Sequence, residues 1–195
     1  GTARLHQPLR PDARGEARAD FALEPGAEAR DHRFYPLADP QTQDAFEMAR
    51  FHAETVPDVR RAARAAGGTA FGIACGDIMY DRLELFPDYE RAVQAMGMPF
   101  FQVVGNHDLD YSARTTEAST ATFERHFGPA WYSFDVGAVH YVVLNDVFWY
   151  GDGYVGYLTA TQLAWLTADL AGIEAGRTVV VALHIPLAST YATRT

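Results

Sequence analysis

The chain contains no lysine, and all sixteen of its basic residues are arginine, so lysine chemistry is excluded. It has a single cysteine, Cys75, set in an apolar stretch. That excludes a disulfide framework or a cysteine-rich zinc site, and Cys75 reads as an inert core residue. There is no run of eighteen apolar residues, so no membrane-spanning helix is expected, and residues 1–30 lack the apolar stretch of a signal peptide. A basic surplus is also missing. The net charge is −9, and residues 65–195 carry six arginines against fourteen acidic residues, while residues 1–64 are close to balance. Affinity for a phosphate backbone comes from clustered Lys and Arg, so no nucleic-acid partner is expected and cations suit the chain better. No repeat, low-complexity tract or serine-nucleophile motif occurs, and Gly151-Asp152-Gly153 does not follow the phosphate-loop pattern.

What is present suffices for one substantial core: 195 residues, 48% of them hydrophobic. Residues 1–32 hold Pro8, Pro11 and Pro25 without a sustained period. They read as an N-terminal extension or linker remnant, with a short edge strand near Phe21-Ala22-Leu23. Residues 33–195 read as the folded domain. The chain opens on Gly1 rather than methionine, which leaves the compartment undecided: a soluble protein, periplasmic or secreted if an upstream signal has been removed.

Within the domain the pattern alternates. Phe34–Ala38 reads as a first strand, and Thr42 as the cap of a helix whose apolar positions run from Phe46 to Ala66, with Pro57 restarting it and Gly67-Gly68 ending it. Phe71–Cys75 and Pro99–Val104 read as buried strands with a helix near Asp88–Met96 between them, and Thr116–His126 as a further helix. A hairpin about Val136-Gly137-Ala138 then feeds a central strand at Tyr141–Leu144. A Gly- and Tyr-rich loop follows over Phe148–Tyr157, then a helix from Thr159 to Gly172 and a last strand over Thr178–Leu183. Alternating strands and helices imply an α/β fold, with mixed, mainly parallel sheets flanked by helices.

Four of these strands end in polar residues suited to metals: Asp39, Asp77, Asn106-His107 and His184. In such folds ligands bind outside the carboxyl ends of strands, so these side chains should converge in one crevice. Carboxylate and amide oxygens suit hard cations, and imidazole suits first-row metals. The mixed set fits two divalent ions drawn from Mn, Fe, Zn, Mg or Ca. Two such ions about 3.5–4 Å apart can polarise a phosphoryl oxygen and activate water near neutral pH.

Asp39-Pro40-Gln41, Gly76-Asp77, Gly105-Asn106-His107-Asp108 and the lone His184, in this order and at strand ends, resemble the motifs of the calcineurin-like metallophosphoesterases. The segment Leu144-Asn145-Asp146 with Gly156-Tyr157-Leu158, Gln162 and Trp165-Leu166 looks like that family's connection from a core strand to a surface helix. The resemblance implies a metallophosphoesterase-type sandwich that hydrolyses phosphate mono- or diesters with a metal-bound hydroxide. Asp39 would bind the first metal, Asp77 would bridge, and Asn106 and His184 would hold the second. His107 would stabilise the transition state or protonate the leaving group, with Asp108 orienting it. Gln41 stands where the family usually has His, in a D-P-Q variant, and would offer a weaker amide oxygen. The family's closing Gly-His-x-His does not follow His184 within the 195 residues, so this chain is C-terminally incomplete by that pattern, and on its own it is expected to bind metal weakly.

The motifs also have ordinary readings. Gly105–Asp108 suits a polar turn, Asp39–Gln41 a helix entry, and His184 a structural histidine, so the site rests on the set. Asp81 suits a helix cap as well as a site role. Tyr150, Tyr154, Tyr157 and Trp149 fit a cleft wall or a satellite cluster equally, and His140 reads as structural. A scaffold or binding module that kept the fold and lost full metal binding is the competing function, favoured by Gln41 and opposed by His107. One module of a longer protein with further N- and C-terminal domains is compatible with either.

Overall fold

In a computed structural model the described residues are 10–18 and 31–188. The edge strand expected near Phe21–Leu23 lies outside them. The first sheet is wholly parallel, in the order β1 (His32–Leu37), β2 (Thr69–Ala74), β3 (Phe100–Gln102). The second runs β4 (Tyr132–Val136), β5 (Val139–Val143), β8 (Thr178–Ala182), with β4 antiparallel to β5 and β5 parallel to β8. The expected hairpin and central strand are therefore present, and the α/β sandwich with mainly parallel sheets stands. Between the strands run α1 (Ala45–Arg50), α2 (Val56–Ala65), α3 (Phe86–Met96), α4 (Thr116–Ser119), α5 (Ala121–Phe127) and α6 (Ala160–Ala171). Among the described residues no helix is long and apolar enough to cross a membrane.

The sheets meet through an aromatic layer. Phe71, Ile73 and Val103 from the first face Tyr141 and Val143 from the second, with Phe101 stacked on Phe134 at 3.6 Å and Phe71 edge-on to Tyr141 at 5.1 Å. Offset and edge contacts of this kind add to the area that the rings bury. The larger cluster, including Met48, Ile78, Phe86, Tyr89, Val93, Met96, Phe100 and Phe123, joins α1–α3 and α5 to the first sheet. Two covered faces leave the strand ends as the place where polar side chains can gather.

Several expectations shift. Pro57 sits in the first turn of α2, as expected, but no interruption precedes it. The chain passes from α1 through one π-helical turn (Phe51–Thr55) into α2 without a break, because the wider turn accommodates a ring that lacks an N–H and crowds the preceding carbonyl. Asp44, not Thr42, caps α1, accepting the Glu47 N–H at 2.9 Å. Thr42 is buried instead and pairs with Met79 in an isolated bridge. The helix expected over Thr116–His126 divides at Thr120, and Asp110 grips the N–H and hydroxyl of Thr122 at 2.8 and 2.6 Å. The expected loop over Phe148–Tyr157 contains a small hairpin, β6 (Val147–Trp149) and β7 (Tyr154–Gly156), anchored by the buried Val147 and Trp149.

α6 covers the outer face of the second sheet, and a polar clasp helps to hold it there. His140 on β5 is buried between Asp135 at 2.7 Å and Asp169 of α6 at 2.8 Å, and Ser133 donates to the same Asp169 at 2.7 Å. Burial alone would lower the pKa of His140. The two carboxylates reverse that and raise it. A raised folded-state pKa gives stability that is fully present below the unfolded value of about 6.5 and lost as pH rises through the folded value. His140→Gln should therefore cost about 2 kcal/mol at pH 6 and less at pH 9, read as thermal unfolding at both.

Candidate metal centre

Asp39 and Gln41 follow β1, Asp77 follows β2, Asn106–Asp108 form a tight turn after β3, and His184 follows β8. Four parallel strand ends thus meet at one rim of the sandwich, as the sequence implied. The backbone there is unusual. Asp39 and Gln41 (φ +45° each), Asp77 (+49°) and Asp81 (+60°) are the non-glycine residues in the left-handed region among those described, and all four belong to this rim. Such conformations cost about 1–3 kcal/mol each and persist where the surroundings impose them. Here the Gln41 N–H is held by the Asp77 carbonyl at 2.9 Å, and the Asp81 N–H by that of His107 at 3.2 Å.

Two glycines allow the close approach. Gly76 has φ +92°, and a Cβ on it would meet His184 Nδ1 at 2.5 Å. A Cβ on Gly105 would fall on the backbone N and Oδ1 of Asp77. The Gly-Asp and Gly-Asn-His-Asp glycines are thus explained by packing of one site segment on another.

Asp77 is 3% exposed and lies at the centre. Its Oδ1 accepts the His107 N–H at 2.9 Å and lies 3.4 Å from His184 Nε2, and its Oδ2 accepts the Gln41 Nε2 amide at 2.8 Å. Gln41 therefore meets the central carboxylate as a donor through Nε2, which leaves its Oε1 for the metal-facing role expected of it. Ligand atoms of Asp39, Asp77 and His184 lie within 4.8 Å of one another. Asn106 is buried with its Oδ1 3.1 Å from His184 Nε2.

His184 supplies the test of whether these residues fit a cation. Its Nδ1 lies 2.9 Å from the Cys75 carbonyl, which can only accept, so in the neutral ring the proton sits on Nδ1. The lone pair of Nε2 then points toward two oxygens, Asn106 Oδ1 and Asp77 Oδ1. In the neutral ring these acceptors repel unless a cation stands between them, and in the imidazolium a proton takes that place. A histidine whose second nitrogen is fixed by a carbonyl is also the usual arrangement of a metal-ligating imidazole. The donor set fits divalent metal. Cys75 is only partly buried, with its thiol pKa raised first by burial and then by Asp39, and its main-chain carbonyl serves the site.

The expected orientation of His107 by Asp108 is corrected by the geometry. Asp108 is fully buried and turned inward, accepting the N–H groups of Ile78 (3.1 Å), Met79 (3.0 Å) and Gly105 (3.0 Å). Burial pushes its carboxyl up to about 7, opposed by those three donors and assisted by the charge of Asp77. It ties the two motif loops together. Asp108→Asn would turn an amide N–H₂ toward N–H donors, and about 2–3 kcal/mol should be lost in chemical denaturation.

His107 is oriented by Asp81, whose Oδ1 lies 2.8 Å from its Nδ1, and Tyr80 stacks on the imidazole at 4.1 Å. Asp81 makes no helix cap, since the following turn begins at Arg82 without a side-chain cap. The one sequence signal for its role is the short spacing from Asp77, which brings it round the same turn. Asp146, unassigned from sequence, accepts the N–H groups of His184 and Ile185 at 3.1 and 3.0 Å and so sets the His184 turn. Burial raises its pKa, against these donors. Its signal was its place just after the central strand. Of the aromatic loop residues, Trp149 joins the core, whereas Tyr150, Tyr154 and Tyr157 stay exposed.

Comparison with known proteins agrees with this arrangement. No family model matches the chain. A serine/threonine-protein phosphatase, CPPED1, of Bos taurus is 34% identical over 127 residues, covering 60% of this chain and 40% of that protein. Purple acid phosphatase 15 of Arabidopsis thaliana is 30% identical over 105 residues, covering 48% and 18%. Among solved structures, a purple acid phosphatase from yellow lupin (Lupinus luteus) seeds superposes with TM-score 0.53 at 10% identity, over 76% of this chain and 29% of that one. A dimetal phosphatase from Danio rerio superposes with TM-score 0.51 at 14% identity, over 80% and 70%. These likenesses bear out the calcineurin-like metallophosphoesterase resemblance read from the motifs: the fold is that of dimetal phosphatases, and the sequence relatives are phosphatases. The chain spans about 40% of the length of the CPPED1 relatives that it matches.

Proposed function

We propose that this protein is a metal-dependent hydrolase of phosphate mono- or diesters, built on residues 33–195 with residues 1–32 as an extension. The observation that carries the proposal is the convergence of ligand atoms of Asp39, Asp77 and His184 within 4.8 Å of one another, with Asn106 Oδ1 3.1 Å from His184 Nε2. Asp39, Asp77, Asn106 and His184 would hold two divalent ions, and Gln41 would hold Asp77 in place. Such ions would polarise the phosphoryl oxygen and favour ionisation of the attacking water. The resemblance to phosphatases in sequence and to dimetal phosphatases in fold supports the same reading.

The chain's own part follows from its geometry. With Nδ1 held by Asp81, the free Nε2 of His107 is the atom that faces the substrate. In the imidazolium form, whose Nδ1–H donates to Asp81, Nε2–H is the donor: water oxygen bonds to phosphorus as the ester P–O bond breaks, the departing oxygen takes the Nε2 proton, and the proton shed by the attacking water passes to solvent, from which the ring is reprotonated. The retained His107–Asp81 pair argues against a pure scaffold, which has no use for an oriented proton donor. Purified protein should be titrated with Mn²⁺ by calorimetry and assayed on phenyl phosphate with and without the ion. Binding together with Mn²⁺-dependent release of phosphate is the expected result, and neither occurring at millimolar Mn²⁺ would sink the proposal.

A further inference from the structure

The rim of the site is chemically lopsided. Around Gln41 the neighbouring groove is polar, lined by Gln43, Glu47 and Arg50 among others. The His107 side is aromatic. Tyr80 lies nearly parallel to the imidazole, 4.1 Å away and 24° tilted, yet it is 40% exposed. Tyr111 is likewise 40% exposed although its hydroxyl donates to the Asn106 carbonyl at 2.9 Å and its ring stacks on the buried Trp149 at 5.2 Å. Tyr154, 44% exposed, is the cross-strand partner of Trp149 and so stands on the same side of the β6–β7 hairpin. Single exposed aromatics are ordinary. Tyr80 stacks on the proton donor, Tyr111 is tied to the carbonyl of the residue before it, and Tyr154 lies close enough to act on the Tyr111 hydroxyl, so the three, two of them pinned, form a pre-organised apolar wall.

Resting on the hydrolase reading, we propose that Tyr80, Tyr111 and Tyr154 receive the group carried by the leaving oxygen, and that the preferred substrates are phosphate esters of aromatic alcohols. The leaving oxygen must come within reach of His107 Nε2 to take its proton, so whatever it carries lies beside the imidazole on which Tyr80 stacks. A planar ring there can stack on or pack edge-to-face against the tyrosines, while a short alkyl group leaves them wet. The phosphoryl end is indifferent to this wall. Selectivity should therefore appear in the comparison of leaving groups.

The test compares phenyl phosphate with ethyl phosphate on Mn²⁺-loaded wild type, Tyr80→Leu and Tyr154→Ala. Phenyl esters are intrinsically more reactive, so the quantity read is the change between proteins in the aryl-to-alkyl ratio of kcat/KM. That ratio should fall about fivefold in each variant. In parallel, phenylphosphonate should bind wild type more tightly than methylphosphonate by calorimetry, and Tyr154→Ala should lose most of the difference. A parallel fall for both esters, with the ratio unchanged, would mean that Tyr80 merely props His107 and would overturn the inference. If neither ester is turned over, the hydrolase reading has failed. The phosphonates still decide the inference, since equal affinities for the two overturn it.

Discussion

Replacing His107 with alanine is expected to lower kcat for ethyl phosphate by about 10²–10⁴-fold while metal binding and the far-UV spectrum stay as in wild type. The imidazole meets the loop after β2 at its outer, partly exposed end, through Asp81 and Tyr80, and not at the buried contacts beneath. Its ring touches Asp81 at the rim and Tyr80 above it, whereas the loop itself is fastened by the His107 backbone N–H on Asp77 and by Asp108 underneath. Removing the ring should therefore delete a proton donor without unlatching the site. The loss should be smaller for phenyl phosphate, because a phenol (pKa about 10, as for tyrosine) departs with less need of a proton than an alcohol does. Stopped assays on both esters, with metal titrations on the same preparations, check this. Equal losses on the two esters would mean that His107 acts on the phosphoryl charge rather than on the leaving oxygen. Asp81→Asn should fall between wild type and His107→Ala, since the imidazole keeps a neighbour but loses its carboxylate partner.

Which parts of this arrangement were legible follows from the range of the forces involved. The strand ends could be read because each buried run stops at a polar residue or a glycine, a local signal. Asp39, Asp77, Asn106 and His184 could be placed together because the carboxyl ends of parallel strands share one rim. The role of Asp108 could not be read that way. A carboxylate one residue after a histidine looks like its partner, but in the tight turn over 106–108 the two side chains diverge, and Asp108 meets main-chain donors thirty residues away. Asp81 was ambiguous for the converse reason. Nothing local says that a left-handed residue, φ +60°, will swing its carboxylate toward the imidazole rather than cap a helix. The first-turn position of Pro57 was legible, but not the π-helical turn that joins α2 to α1 without a break. The loop between Phe148 and Tyr157 became a hairpin for a tertiary reason, the burial of Val147 and Trp149, which composition alone does not report.

Asp77→Asn separates the charge of the central carboxylate from its shape and should have the largest effect on metal. Asparagine tolerates the left-handed backbone at φ +49°, so the strain of this position is not increased. Its Oδ1 can still accept the His107 N–H, and Gln41 can turn its own amide to offer oxygen where it now offers nitrogen. What disappears is one negative charge between Asp39 and His184. Losing even an outer partner of a metal ligand weakens affinity by about 10–100-fold, so losing the charge at the centre should cost at least about 100-fold in a Mn²⁺ titration. Stability of the metal-free protein should move the other way. Asp77 lies close enough to Asp108 to raise the pKa of that buried carboxyl, a mutual repulsion that the substitution removes. The thermal midpoint without metal should hold or rise, in contrast with the loss expected for Asp108→Asn. Sites arranged for function often carry such internal conflict, and relieving it trades activity for stability. An Asp77→Asn protein that bound Mn²⁺ as wild type does would remove Asp77 from the metal centre. One that melted lower without metal would mean that its carboxylate stabilises the fold rather than straining it.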